Sequence, residues 1–530
     1  MGAEASPVPA TAPPAPPAPA AAPTALTRRA SLNALQSLLD YSAKLLVGLV
    51  VTPVLVDGLG RSLFGVWEML SRLISYISAT DGRPTEALRL VVAARQSLDD
   101  PAGQRRAVGS ALAVWLIFLP IVAAVGALLV WLAPSVTKVG PELRPAVHLT
   151  AVLLVAGFLV GGVAAVPESV LRGMNLGYKR MGLQAGLNIA GGVLMALAVT
   201  RGFGLAGVAA AQLALGVLTG LCFWKLAGRY VPWFGLAPPG RAEVRTLLGM
   251  SAWLAGGELI AKLSLGSDAI ILGAIVSSSV VTTYVLTGYA ARLALGLHFL
   301  TAGSAMPGFG GVIGQRQFER AAELRRELLA LTWLFATTVG ATILLWNRSF
   351  LTLWVGGQLY AGFWVNLLTV VITLQTALVR SDAYVLDAAL QPRPRVIVSV
   401  VAAVAIVGLG LALTPSLGMV GICIGVLAGR AVQSVAYPAL VSASLGGPRR
   451  VPLRPVGRPA FVTALLFAAA GALGERILAP GWLAWAGLVA VTCPLVLGTA
   501  LVAGLPGETR RRVIARGRAM LRGIGDARRG

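Results

Sequence analysis

Charged side chains lie within the most apolar stretches of this sequence, where an ion is costly to bury. At the centre of a membrane helix an ionised side chain costs ~2.5–3.5 kcal/mol on insertion scales, so it needs a partner or a water-filled cavity. Three acid–base pairs have i, i+4 spacing, which places opposite charges on one face of a helix. These pairs are Asp40 with Lys44, Glu68 with Arg72, and Glu258 with Lys262. One interpretation is that each pair only neutralises itself so that its helix can insert.

The basic residues of these stretches favour a second interpretation, an anion-binding cavity. Four cations are predicted to bind substrate where the two halves of the protein face each other: Lys44, Arg72, Lys262 and Arg292. Arg292 has no acid four residues before it. Because a guanidinium can bind two phosphate oxygens at once, Arg292 is the strongest candidate for a phosphate ligand.

Other charged residues of the apolar stretches are predicted to serve ion coupling or gating. They are Asp40, Glu258, Asp268, Asp81, Arg380 and Asp387. Asp81 and Asp268 are candidates for binding a coupling proton or sodium ion, and each fits equally well as a helix-end or interhelical hydrogen-bonding residue. Arg380 and Asp387 belong either to the cavity or only to an inner gate.

The composition requires a membrane environment for the elements that carry these charges. Of the 530 residues, 56% are hydrophobic and 12% are charged, and the mean hydropathy is +0.79. A helix needs ~20 apolar residues to cross the ~30 Å hydrocarbon core of a bilayer, and such stretches recur along most of the chain. The sequence therefore predicts an all-α polytopic membrane protein of about fourteen transmembrane helices.

The apolar stretches define the predicted spans and domains. The spans lie near 33–56, 63–80, 108–132, 147–171, 182–200, 204–227, 249–276, 280–305, 328–346, 365–389, 396–413, 418–441, 459–478 and 482–503. They follow a disordered Ala- and Pro-rich cytoplasmic tail at 1–27. The predicted N-lobe is 28–230, the C-lobe is 231–445, spans thirteen and fourteen occupy 446–504, and a basic cytoplasmic tail is 505–530.

An internal repeat supports two six-helix lobes. AKLLVG at 43–48 matches AKLSLG at 261–266, and FGLAGV at 203–208 resembles LGMVGI at 417–422. Because six is an even number, both lobes enter the membrane from the same side and are related by an axis along the membrane normal.

The basic residues follow the predicted topology rather than forming a nucleic-acid-binding surface. The net charge is +23, but the Lys and Arg residues concentrate in alternate loops. The positive-inside rule then places both termini in the cytoplasm. The tail from Arg510 to Arg529 is expected to contact anionic lipid headgroups rather than a protein or nucleic acid.

Motifs for ATP hydrolysis, metal binding and catalysis are absent from the sequence. It contains no GxxxxGK[ST] loop, so transport energy is expected from a proton or sodium gradient or from a partner protein. His148 and His298 lack other ligands at metal-binding spacing. The predicted exoplasmic loops are short, with Glu142 and Glu475 standing singly, which argues against a membrane glycosyltransferase. We expect no enzyme activity, no cofactor and no metal.

Four segments resemble the polysaccharide-type branch of the multidrug/oligosaccharidyl-lipid/polysaccharide (MOP) exporter superfamily. They are TPVLVDGLGRSLFGVWEMLSRL at 52–73 with TDG at 80–82, SDAIILGAIVSSSVVTTYVLTGYAARL at 267–293, NRSFLTLWVGGQLYAGFW at 347–364, and GMVGICIGVLAG at 418–429. The resemblance implies two lobes that open alternately to either side, with spans thirteen and fourteen as an extra pair. The sequence departs from the family pattern at 81–84, Asp-Gly-Arg-Pro, which weakens any role assigned to Asp81.

The resemblance implies a flippase in a bacterial inner membrane. It would carry a polyprenyl-diphosphate-linked oligosaccharide from the inner to the outer leaflet, with the diphosphate in the cationic cavity and the isoprenoid tail in lipid. Its expected partners are this substrate, membrane lipids and polysaccharide-assembly proteins. A flippase for a lipid-linked peptidoglycan precursor and a cation-coupled multidrug exporter are the alternatives within the same superfamily.

Overall fold

The computed structural model describes residues 23–96, 100–390, 392–447 and 454–515. These residues form helices and connecting turns, and no β-strand occurs among them. The helices are α1 Pro23–Ser75, α2 Pro84–Ala94, α3 Pro101–Thr137, α4 Arg144–Gly173, α5 Met181–Thr200, α6 Gly204–Tyr230, α7 Arg241–Ile275, α8 Ser278–Thr287, α9 Tyr289–Gly303, α10 Met306–Gly314, α11 Phe318–Trp354, α12 Phe363–Ala388, α13 Pro392–Ser444, α14 Arg454–Gly474 and α15 Trp482–Thr499. The predicted all-α class is confirmed. Most of the predicted N-terminal tail and the end of the C-terminal tail lie outside the described residues.

The long helix α1 contains two predicted spans joined at a bend. Gly60, at the bend, has φ 76° and ψ 164°, a left-handed conformation that glycine adopts without steric cost. We call residues 23–59 leg 1 and residues 61–79 leg 2. The helix ends near this bend form the Arg61 end of the molecule. The opposite ends, where the chain turns after leg 2, form the Asp81 end.

Helix α13 likewise joins spans eleven and twelve, at Gly418 (φ 55°). The two legs of α13, before and after Gly418, pack against each other with almost no side chain between them. A Cβ atom added at Gly425 would lie 2.7 Å from the Gly410 backbone nitrogen, and one at Gly429 would lie 2.5 Å from that of Ile406. Small residues therefore allow this close helix pair, as is common inside membranes.

The structure is compatible with fourteen spans. Among the described residues, ten helices are long and apolar enough to cross a membrane, and α8 with α9 and α10 raises this number to eleven. Both α1 and α13 are counted once, although each is bent at a glycine into two legs. Predicted span seven corresponds to the 35-residue helix α7, which carries the charged residues of that span.

Predicted span eight, 280–305, is not one continuous helix. It is broken at Gly288, where α8 and α9–α10 meet with a bend of 54°. Asn347 Nδ2 donates to the Thr287 carbonyl at 2.8 Å, and the Ala361 amide donates to Thr287 Oγ1 at 2.8 Å. These contacts from outside the helix satisfy polar groups at the break, which a membrane interior otherwise penalises.

Helices α14 and α15 pack against α11 of the C-lobe. Trp333 Nε1 donates to Thr463 Oγ1 at 2.9 Å, and Trp346 Nε1 donates to Thr492 Oγ1 at 2.9 Å. A Cβ at Gly474 would lie 2.2 Å from the Leu344 carbonyl oxygen, so the two helices approach closely there. The extra pair is thus fixed to one lobe.

Candidate functional site

The two lobes meet along a seam where leg 2 and the turn after it run antiparallel to α7 and the start of α8. From the Arg61 end to the Asp81 end, the seam joins Ser62 to Ser278, Arg72 to Asp268, Tyr76 to the Lys262 carbonyl, and Arg83 to Glu258. In every pair, the N-lobe residue is far along the chain from the C-lobe residue that it contacts. We call this contact surface the lobe seam.

Arg72 lies at the centre of the lobe seam and is already bound. Its Nη1 is 2.9 Å from Asp268 Oδ1, and its Nε is 3.7 Å from Glu68 Oε2 on its own helix. The Tyr284 hydroxyl donates to the other oxygen of Asp268 at 2.7 Å. The Arg72 and Asp268 side chains are only 18% and 21% exposed, so this is a charge-assisted contact in a largely apolar environment.

Arg292 lies beside this group without a carboxylate of its own. Among the described residues, no acid lies within 4.0 Å of its guanidinium. Its Nη2 donates to the Val285 carbonyl on the other side of the helix break. The charges of Arg72, Glu68 and Asp268 act electrostatically on the Arg292 guanidinium.

The Arg292 side chain is exposed, and its Nη1 lies 2.9 Å from the position that a Cβ atom would take at Gly288, in the helix break. The charges that act on it belong to both lobes, Arg72 and Glu68 on leg 2 and Asp268 on α7, so Arg292 lies near the lobe seam. The structure therefore offers a ligand a guanidinium without a carboxylate partner at the break of a discontinuous helix, the kind of position at which transporters bind substrates and ions.

Lys44 is also free, and its predicted pairing with Asp40 is wrong. Lys44 is exposed and makes no ion pair or hydrogen bond among the described residues. Asp40 instead accepts a hydrogen bond from Gln36 Nε2 at 2.8 Å. The reason is that i, i+4 spacing permits a pair but does not require one when a nearer partner is available.

Leg 1 contacts α9 on the helical face that carries Lys44. The Tyr41 hydroxyl donates to the Leu293 carbonyl, and a Cβ at Gly48 would lie 2.2 Å from the Tyr289 hydroxyl. Residues 41, 44 and 48 share one side of a helix with 3.6 residues per turn. Lys44 therefore lies next to the contact with α9, the helix that begins one turn before Arg292.

Lys262 differs from the other three predicted cations. Its Nζ is 3.6 Å from Glu258 Oε1, as the i, i+4 spacing predicts. Glu258 is also bound by Arg83, and Ser78 Oγ donates to it at 3.4 Å. Lys262 thus belongs to a cluster at the Asp81 end in which it shares Glu258 with Arg83, more than one helical turn along α7 from Asp268. The structure brings Arg72 and Arg292 together and places Lys262 apart from them; substrate binding by all four residues stays a prediction.

Comparison with known proteins identifies the family to which this chain belongs. A family model described as "Polysaccharide biosynthesis protein" matches residues 33–310. The chain belongs to that family. The matched segment contains leg 1, leg 2, α7, α8 and α9, and therefore the whole lobe seam with Arg292. No curated protein matches the chain.

Solved transporters of the MOP superfamily share the fold. The lipid II flippase MurJ in an inward closed conformation matches with a TM-score of 0.65 at 11% identity, over 88% of this chain and 97% of that chain. An inward-facing multidrug resistance MATE family transporter matches with a TM-score of 0.62 at 16% identity, over 77% and 98%. A MOP superfamily transporter from Pyrococcus furiosus, described as having a binding pocket of reverse polarity, matches at 0.51 and 17%, over 80% and 94%. The chain therefore has the fold of these transporters, as the sequence resemblance implied, and it is a multi-pass membrane protein of the polysaccharide biosynthesis family.

At the Arg61 end, hydrogen bonds join the two lobes of this family member. Arg61 Nη2 donates to Thr283 Oγ1 at 2.6 Å, and Thr282 Oγ1 donates to the Arg61 carbonyl at 2.6 Å. A Cβ at Gly65 would lie 1.8 Å from the Ser278 carbonyl oxygen. The two lobes are therefore in direct contact at this end.

Asp81 has a local role in the turn that follows leg 2. Its Oδ1 accepts a hydrogen bond from the Arg83 backbone amide at 2.8 Å. Gly82 and Arg83 both have left-handed backbones, with φ of 67° and 48°. Burial raises the pKa of the Asp81 carboxyl above its ordinary value, against the opposing effect of Arg83. This arrangement matches the helix-end alternative, and ion coupling by Asp81 stays a prediction.

Arg380 and Asp387 lie on α12, away from the lobe seam. The Arg380 guanidinium lies 4.8 Å from the ring centroid of Tyr384 and 5.6 Å from that of Phe299. Asp387 is bound by Arg395 of α13. The two residues therefore make separate contacts within the C-lobe, and their gating role stays a prediction.

Two arginine contacts were not predicted from the sequence. Arg430 is 4% exposed, and it donates to the Ser264 carbonyl at 2.8 Å and to Thr376 Oγ1, which joins α13 to α7 and α12. Arg325 binds both oxygens of Asp382, at 2.7 and 2.9 Å. In the sequence, Arg430 is a lone arginine within predicted span twelve, and this position was a signal of its contacts. Arg325 lies in a predicted basic loop and gave no such signal.

The possible metal ligands among the described residues are not clustered. No group of three or more His, Cys, Asp or Glu side chains that could hold a metal ion occurs among them. His298 lies beside a small apolar cavity inside the C-lobe, where its Nε2 contacts the Ala377 carbonyl at 3.2 Å. The chemistry available at the lobe seam is thus electrostatic binding of an anion by arginine and lysine side chains.

Proposed function

We propose that this protein is a flippase that moves a polyprenyl-diphosphate-linked oligosaccharide from the inner to the outer leaflet of a bacterial inner membrane. The observation that carries the proposal is Arg292, an exposed guanidinium near the lobe seam with no acid partner among the described residues. A cation inside a membrane protein is costly and usually marks a substrate pathway. Membership of the polysaccharide biosynthesis family supports this substrate class.

The charge arrangement suits a diphosphate better than a cationic drug. Arg292 and Arg72 lie close enough for their charges to interact, and together they can bind several oxygens of one diphosphate. Lys44 offers a further free cation beside the contact of leg 1 with α9. The saccharide would occupy the wet cavity, and the isoprenoid tail would remain in lipid.

Energy for transport would come from a proton or sodium gradient, or from polysaccharide-assembly proteins that remove the product. The predicted topology, with both termini cytoplasmic, makes the Arg61 end exoplasmic. Substrate would then enter from the Asp81 side and leave after the contacts at the Arg61 end break.

A lipid-linked peptidoglycan precursor is the second candidate substrate. The match to the lipid II flippase MurJ favours it, and lipid-linked saccharides of both kinds would present an anionic diphosphate to Arg292. A multidrug exporter, favoured by the match to a MATE family transporter, would instead need a cation-attracting cavity.

Charge reversal at Arg292 tests the proposal. Arg292→Glu should abolish polysaccharide export, at least a tenfold loss (~1.4 kcal/mol or more of binding), and leave drug resistance unchanged. Arg476→Glu is the matched control, because Arg476 is exposed in the loop between α14 and α15, far from Arg292 in the chain. Loss of drug resistance with intact polysaccharide export would refute the flippase.

A further inference from the structure

The carboxylate of Asp268 occupies the position on Arg72 that a phosphate group would take. Its Oδ1 lies 2.9 Å from Arg72 Nη1, the distance expected for a charge-assisted hydrogen bond. Its Oδ2 is held by the Tyr284 hydroxyl at 2.7 Å. A guanidinium binds carboxylate and phosphate with the same planar set of donors, so the two anions compete for one site.

We propose that Asp268 is an internal competitor for the substrate's diphosphate, and that substrate binding transfers Arg72 from Asp268 to a phosphate group. The inference rests on the proposed function and extends it, because it adds Arg72 as a second phosphate ligand that becomes available only after this exchange. Among the described residues, Arg292 has no carboxylate partner whereas Arg72 is paired with Asp268, so the two arginines engage the diphosphate in that order.

The exchange is favoured by the charges around it. Arg292 and Arg72 repel each other, and a diphosphate bound between them would neutralise both. Glu68 lies 3.7 Å from Arg72 Nε on the same helix, so it can remain beside Arg72 during the exchange.

After the exchange, neighbouring groups would still stabilise the negative charge of the Asp268 carboxylate. The Tyr284 hydroxyl still donates to it, and the positive charge of the buried Arg430 acts on it. Removing one partner from a buried ion pair is costly when the other charge is left alone, and these two groups reduce that cost.

The same exchange would loosen the lobe seam. Arg72 belongs to leg 2 of the N-lobe and Asp268 to α7 of the C-lobe, so their ion pair holds the lobes together. A substrate that takes Arg72 removes this contact at the centre of the seam. Binding and lobe separation are thereby coupled through one guanidinium.

Diphosphate affinity of the purified full-length protein tests this role. The probe is farnesyl diphosphate, titrated by calorimetry into wild type and Asp268→Asn, with the unfolding temperature of each variant measured alongside. Loss of the competing charge should tighten binding roughly tenfold. Asp268→Ser is the second variant, since it removes the charge with a different side chain.

A double-mutant cycle separates competition from a general effect of charge. In an Arg72→Gln background, Asp268→Asn should no longer tighten binding, because the competition acts only through Arg72. Glu319→Gln is the control. It removes an exposed carboxylate in the first turn of α11, outside the lobe seam, and should leave diphosphate affinity unchanged.

The outcomes distinguish this inference from the proposed function. If wild type binds the probe and Arg292→Glu does not, but Asp268→Asn and Asp268→Ser bind no more tightly than wild type, the competitor role is overturned. An affinity gain that persists without Arg72 overturns it as well. If none of these proteins binds a diphosphate, the proposed function fails and the competitor role fails with it.

Discussion

At the scale of single residues, the partners of the buried charges decide what each one can do. Arg72 and Arg292 have the same side chain, but Asp268 binds the first and no described acid binds the second. Only the unpaired guanidinium is ready for a ligand. The pair Arg325–Asp382 shows the opposite case, an arginine fully used in a bidentate contact between α11 and α12.

Asp382→Ala should destabilise the protein by about 3–5 kcal/mol, because it leaves the Arg325 charge largely buried without a partner. The Asp382 side chain is 5% exposed, so water cannot easily replace it. The measurement is denaturant unfolding of the purified protein in detergent. Replacing both residues, with Arg325→Met and Asp382→Ala, should recover most of the loss.

Glu319→Ala is the control for this prediction, because Glu319 is an exposed acid in the first turn of the same helix as Arg325. It should change stability by less than about 0.5 kcal/mol. Equal stability of wild type and Asp382→Ala would contradict the buried ion pair.

The sequence indicated which residues are charged at depth, but it could not indicate their partners. The i, i+4 spacing is a local rule, and it described Glu258–Lys262 while missing the contact of Glu258 with Arg83. Arg72 and Asp268 are 196 residues apart, and only the packing of leg 2 on α7 brings them together. Contacts of this kind depend on tertiary structure and leave no spacing pattern.

At the scale of elements, hydrophobic run length was a sufficient guide because the bilayer fixes the length of a span. The predicted spans correspond to the helices of the structure, with α1 and α13 each covering two. The break at Gly288 was not predicted, since the run from Ser278 to Gly303 contains no proline and is mostly apolar, as in a continuous span. Its cause lies in Asn347 and Ala361, which bind Thr287 from other parts of the chain.

Gly425→Ala tests the close packing of the two α13 legs. Its new Cβ would lie 2.7 Å from the Gly410 backbone nitrogen, and a backbone atom cannot move aside as a flexible side chain can. We expect a loss of about 1–3 kcal/mol in the free energy of unfolding.

Gly408→Ala in the same helix is the control, because nothing lies within 4 Å of the Cβ it would add. It should leave stability unchanged or raise it slightly, since alanine favours helix over glycine. If both variants unfolded at the same temperature as wild type, the two legs would not pack through Gly425.

At the scale of the whole molecule, the structure has the lobes in contact at both ends of the seam. Hydrogen bonds of Arg61 with Thr282 and Thr283 join the lobes at the Arg61 end, and an ion pair joins Arg83 to Glu258 near the Asp81 end. Transport requires these contacts to break in turn, and a ligand can drive such a change only if it binds one state more tightly than the other. A diphosphate held by Arg292 and Arg72 would supply that difference between the lobes.

The most direct test of the flippase is transport by the purified protein in liposomes. The measurement follows a fluorescent polyprenyl-diphosphate-linked oligosaccharide from the inner to the outer leaflet, beside a cationic drug in the same vesicles. We predict that wild type moves the lipid-linked saccharide and not the drug, and that Arg292→Glu moves neither. Transport of the drug without the lipid-linked saccharide would contradict the account.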